Sequence, residues 1–122
     1  MLRGLLLAVF LVFLAPALAL GADEGWRLLE RPSTIVLFRH ATAPGTGDPA
    51  GFRLDDCATQ RNLDRQGRAE ARAIGEAFRA RGISVSKVLA SQWCRSRETA
   101  ELAFPGQVTA EPAFNSFFGN PA

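Results

Sequence analysis

Residues 33–42 read STIVLFRHAT. Thr34 to Phe38 is an unbroken run of β-branched and apolar residues, which predicts a strand buried on both faces, as in a parallel sheet. The run stops at Arg39 and His40, and His40 is the only histidine among 122 residues. Ligands of open parallel sheets bind beyond the carboxyl ends of the strands. The stretch therefore carries an expected element and, at its end, an expected site.

Downstream, ATAPGTGDPAGFRLDD (41–56) is rich in Gly and Pro and reads as loop. Its Gly45-Thr46-Gly47 lacks the Gly-Lys-Ser/Thr ending of a nucleotide-binding loop. LDRQGRAEARAIGEAFRARGI (63–83) then predicts a helix. Asp64 stands at its N-cap, Ala71, Ile74, Ala77 and Phe78 form an apolar stripe, and Gly82 stands where a C-cap glycine belongs. SKVLAS (86–91) predicts a second strand. RSRETAELAF (95–104) predicts a second helix, stopped by Pro105-Gly106. Strand, helix, strand, helix implies a parallel sheet with crossover helices. If the two strands are neighbours, Arg39, His40 and Arg95 converge beside the first turn of the second helix. Two guanidiniums and a helix N-terminus favour an anion there, most naturally phosphate. A neutral imidazole against a phosphoryl group can act as a nucleophile.

Upstream, MLRGLLLAVFLVFLAPALAL (1–20) places one positive charge, an apolar run and small residues at Ala17 and Ala19 in the order of a secretory signal peptide. Cleavage after Ala19 leaves 103 residues, enough for one small domain (20–122), and predicts a secreted or periplasmic protein. An uncleaved membrane anchor is the alternative, and only then is a membrane a partner. Beyond residue 19, 13 basic side chains face 12 acidic ones, so the charge is nearly balanced and no nucleic-acid footprint is expected. Trp26 and Trp93 are expected to pack rather than to hold substrate, and Arg97 to sit on the helix surface.

Cys57 and Cys94 are not followed six residues on by arginine; Leu63 and Ala100 stand there, so a cysteine-based phosphatase is not indicated. Two cysteines with a single histidine are too few for a zinc site. In an oxidising compartment an even pair suggests a disulfide; two free buried thiols are the other reading.

Three motifs in this order resemble the histidine phosphatase (phosphoglycerate mutase-like) superfamily. LFRHAT is similar to its Arg-His-Gly signature, with Ala41 at the glycine. NLDRQGRAEARAIG is similar to its Leu-Thr-x-x-Gly-x-x-Gln-Ala helix start, with Leu63, Gly67, Glu70 and Ala71 in register. SQWCRSRETA is similar to its Ser-x-x-x-Arg-x-x-x-Thr-Ala segment through Ser91, Arg95, Thr99 and Ala100. The resemblance implies a three-layer α/β/α fold with a mainly parallel central sheet. It makes His40 the phospho-accepting nucleophile and Arg39 and Arg95 the phosphate ligands, with no metal or cofactor. The implied partner is a phosphorylated small molecule, glycan or protein. The family also uses a second histidine and a final central strand, which implies that this chain is the amino-terminal part of a longer protein, incomplete at its carboxyl end and poorly active alone. Asn115 and Ser116 stand near the position of the usual general acid. Glu111, Asp48, Asp55 and Asp56 are the remaining candidates, each read first as a surface or loop acid. A non-catalytic phospholigand-binding or interaction module that kept the pocket is the alternative function, and a mutase is a weaker one.

Overall fold

The structure, a computed structural model, describes residues 17–117. The chain divides into two compact units, Met1–Ile35 and Val36–Ala122. The expected signal segment lies almost wholly outside the described residues. In the first unit, helix α1 (Ala17–Leu28) begins before the expected cleavage point. Ser33 turns the chain after it with φ 65°, and the Thr34 hydroxyl bonds back to the Leu28 and Arg31 carbonyls at 2.8 and 3.0 Å. Among the described residues no helix is long and apolar enough to cross a membrane.

In the second unit, helix α2 (Arg65–Ala80) starts where local chemistry dictates. The Asp64 carboxylate accepts the Gly67 N–H at 2.7 Å, satisfying a donor of the first turn. At the other end Gly82 adopts φ 64°, and the N–H groups of Gly82 and Ile83 return to the Arg79 and Phe78 carbonyls. The buried face differs slightly from the expected stripe. Gly67, Ala71, Gly75 and Phe78 are buried, while Ile74 and Ala77 are half-buried. The cause is a close approach: a Cβ on Gly75 would lie 2.0 Å from the Ala103 carbonyl oxygen of helix α3 (Cys94–Ala103). The small residues let the two helices touch, and Phe78 and Phe104 close the contact edge-to-face at 5.3 Å.

Strands β1 (Val88–Ala90) and β2 (Val108–Ala110) flank α3 in sequence and pair in parallel, Val88 opposite Val108 and Ala90 opposite Ala110. β2 is not among the expected elements, since three residues are too few for a period to emerge. Among the described residues the sheet has two strands. The class is α/β, with helices and a parallel sheet.

The strand expected over Thr34–Phe38 is not formed. Ile35 and Leu37 are 83 and 85 % exposed, Val36 and Phe38 43 and 49 %. This corrects the expectation of burial on both faces. Apolar composition marks residues that gain from burial, but a strand exists only where a neighbour takes up its backbone hydrogen bonds. Among the described residues the one partner of β1 is β2.

Candidate active site

The residues after His40 are held by two helices, α3 and α2. The Ala41 N–H donates to the Thr99 hydroxyl at 3.0 Å, and that hydroxyl donates to the Arg95 carbonyl at 2.7 Å. Thr99 is 1 % exposed, so no water can replace either bond. One buried hydroxyl thus ties the backbone beside His40 to the turn carrying Arg95. From α2, the Glu70 carboxylate accepts the Thr42 N–H at 3.0 Å and its hydroxyl at 2.8 Å. A Cβ at Gly67 would meet the Thr42 carbonyl oxygen at 2.0 Å, which is why glycine stands there. Ala41, at the glycine position of the resembled signature, is buried and takes no positive φ.

A cavity of about 480 Å³ is lined by Arg39, His40, Asp48, Arg61 and Arg95, with Ser91 and Ser96 beside them and Phe52, Trp93 and Phe114 as its aromatic residues. The structure therefore brings Arg39, His40 and Arg95 to one place, although the first expected strand is absent. Arg97 is exposed and not among the lining residues. Glu111 lies elsewhere: its carboxylate accepts the Ala113 N–H at 3.0 Å and caps a short 3-10 turn, Pro112–Phe114. Asp55 and Asp56 pair with Arg53 outside the cavity. Asn115 braces the segment before α3 through reciprocal bonds with Gln92.

The Nδ1 of His40 lies 2.7 Å from the Ala41 carbonyl oxygen. A carbonyl can only accept, so Nδ1 carries the proton and the neutral ring keeps its lone pair on Nε2. Burial lowers the His40 pKa below 6.5 and outweighs the opposing bond to Ala41; the charges of Arg95, Arg39 and Arg61 lower it further. The ring is thus held neutral at physiological pH. In the 122-residue chain it is the only imidazole, so its proton resonances report one titration. The expected midpoint lies below 6.5 in the folded protein and rises when inorganic phosphate is added, because an anion favours the imidazolium. A folded-state midpoint at or above 6.5 contradicts this electrostatic picture.

At two cavity residues the structure goes past the sequence: Arg61 carries no expectation, and Asp48 is expected only as a loop acid among the general-acid candidates. Arg61 donates through Nε to the Gly47 carbonyl at 2.7 Å and through Nη1 to the Ala43 carbonyl, so it closes the 43–48 loop around its own guanidinium. Burial is the main cause that lowers its pKa, followed by the charge of Arg95. Asp48 is no surface acid. Its carboxylate receives the Arg61 N–H (3.0 Å), the Trp93 indole N–H (2.9 Å) and Arg95 Nη1 (2.8 Å). Burial pushes the Asp48 pKa up, but those three donors together outweigh it and hold the carboxyl below its usual value. Trp93 packs against Phe52 as expected of a core ring, yet it also lines the cavity. No spacing rule announces Asp48 or Arg61; the sole hint is the position of Arg61 just ahead of the α2 cap.

Cys57 and Cys94 are joined by a disulfide, their Cα atoms 5.6 Å apart. It anchors the loop to the first residue of α3. Beside it the Gln60 side chain accepts the Cys94 N–H at 3.0 Å and donates to the Arg53 carbonyl at 2.7 Å.

The chain matches the family model of the histidine phosphatase superfamily (branch 1) over residues 35–116, more than half its length. It belongs to that superfamily, whose members point to phosphatase or mutase chemistry. No curated protein and no solved structure matches the chain.

Proposed function

We propose that the protein is an exported phosphomonoesterase working through a phosphohistidine on His40, on the family's three-layer α/β/α fold with a mainly parallel sheet. The observation that carries this reading is the neutral imidazole, with Nδ1 tied to Ala41, in a cavity with three guanidiniums. Nε2 donates its lone pair to phosphorus as the ester P–O bond breaks; an aryl leaving group departs as the phenolate, and an alkoxide takes its proton from water. Water then attacks phosphorus, the P–N bond breaks, and phosphate departs with His40 neutral again. Arg39 and Arg95, joined by Arg61, bind the phosphoryl oxygens and offset charge as it develops. The proton for the alcohol does not come from Asp48, which is ionised, or from Glu111, which is not in the cavity. An aryl phosphate, whose leaving group needs little protonation, is therefore the apt probe. Phosphorylated small molecules, glycans and proteins all fit this chemistry.

The test uses p-nitrophenyl phosphate on the protein made from its full natural reading frame. Stopped with alkali, the reaction should trap an acid-labile, alkali-stable phosphoryl group on the peptide holding His40, and His40→Ala should abolish both the trap and turnover. Phosphate binding with no trapped phosphohistidine and no turnover would point instead to a phospholigand-binding module. Turnover unaffected by His40→Ala would overturn the mechanism.

A further inference from the structure

An anion site gains nothing obvious from a carboxylate, yet Asp48 stands in this one. Its side chain is 7 % exposed, and that of its partner Arg95 is 10 %. Three donors on two segments pin the carboxylate, so it cannot swing aside when a phosphoryl group enters. It occupies Arg95 through Nη1 alone. It also changes the charge of the cavity. Arg39, Arg61 and Arg95 against Asp48 leave two excess positive charges, with His40 neutral. A phosphomonoester at neutral pH carries two negative charges; a diester carries one.

We propose that Asp48 is a positioning residue that fixes the Arg95 guanidinium in advance of binding and sets the cavity charge to match a phosphomonoester dianion. The proposal rests on the phosphomonoesterase reading above. A guanidinium already held in place need not reorganise as charge develops, so its effect appears in the chemical step more than in ground-state binding. The carboxylate lowers the attraction for anions in general, so monoanions with only one charge to offer are bound less well.

The experiment compares the wild-type protein, made from its full natural reading frame, with its Asp48→Asn variant, an isosteric change that removes the charge. Substrates are p-nitrophenyl phosphate and the monoanionic bis(p-nitrophenyl) phosphate, assayed across pH. For the monoester, kcat should fall about tenfold or more while KM stays equal or drops. The preference for monoester over diester should narrow. The acid limb of activity, where His40 takes up a proton on Nε2 and loses its nucleophilic lone pair, should move to lower pH, since Arg39, Arg61 and Arg95 then face the ring with no carboxylate among them. Asp55→Asn, an exposed acid outside the cavity, should change none of these. A rise in KM in step with the fall in kcat, with an unmoved acid limb and unchanged preference, would show that Asp48 is only structural and overturn the proposal. If Asp48→Asn does not fold, Asp48→Glu decides. Retained dianion preference with lowered kcat supports the proposal, and lost preference refutes it. Wild-type protein that hydrolyses neither substrate defeats the underlying phosphomonoesterase reading itself, a result distinct from all of these.

Discussion

Arg95→Ala should lower kcat/KM for an aryl phosphate by about a hundred- to a thousandfold, the usual scale for losing a preorganised charge contact to a transition state. Arg39→Ala should also cost orders of magnitude, and Arg97→Ala very little, because Arg97 is exposed and does not line the cavity. The variants differ in a second respect. Arg39 is exposed, whereas Arg95 is buried in an ion pair with Asp48. Removing one member of a buried pair leaves the other charge uncompensated, at roughly 3–5 kcal/mol. Arg95→Ala should therefore melt at markedly lower temperature as well. Adding Asp48→Asn should recover much of that stability and none of the activity. Calorimetry beside kinetics separates the two losses. Equal, small kinetic effects of all three arginine substitutions would refute the phosphate-binding assignment.

The second large effect concerns the disulfide. Cys57 and Cys94 are 37 residues apart in sequence, so their bond closes a long loop in the unfolded chain. On loop-entropy reasoning, Cys57→Ser with Cys94→Ser should cost about 4 kcal/mol. The loss should also be local. The tethered loop carries Asp48 and Arg61, and α3 carries Arg95, so the cavity walls should loosen before the α2–α3 contact does. Hydrogen exchange should show early loss of protection at the Arg61 and Cys94 amides, whose partners are Asp48 and Gln60. Exchange spread evenly over the unit, or an unchanged melting temperature, would show that the bond contributes little.

Much of the fold was legible from near neighbours in the chain. The limits of α2 follow from Asp64 accepting the Gly67 N–H and from Gly82 turning with positive φ, interactions spanning three or four residues. The end of α3 follows equally from Pro105-Gly106. The meeting of Arg39, His40 and Arg95 in one cavity could be anticipated because each stands at a break between an apolar run and a loop or helix start. Thr99 and Glu70 also stood in recognisable motifs, although what they hold, the backbone of Ala41 and Thr42, is seen only once the chain is folded.

By itself the sequence determined the family, the α/β class, both helices of the second unit with the strand between them, and that the chain's one imidazole is His40, which lines the cavity. Tertiary structure alone decided three things. Thr34–Phe38 carries every compositional mark of a strand and is not one here, since pairing depends on what lies alongside the segment. β2 exists because β1 offers it backbone partners, though its own three residues signal nothing. Asp48 looked like a loop acid, yet it is buried among Arg61, Trp93 and Arg95, residues 13 to 47 positions away. The reason is common to all three. Local sequence sets conformational preference and caps over a few residues. The burial of a charge and the filling of a backbone hydrogen bond depend on groups that only folding brings within about 3 Å.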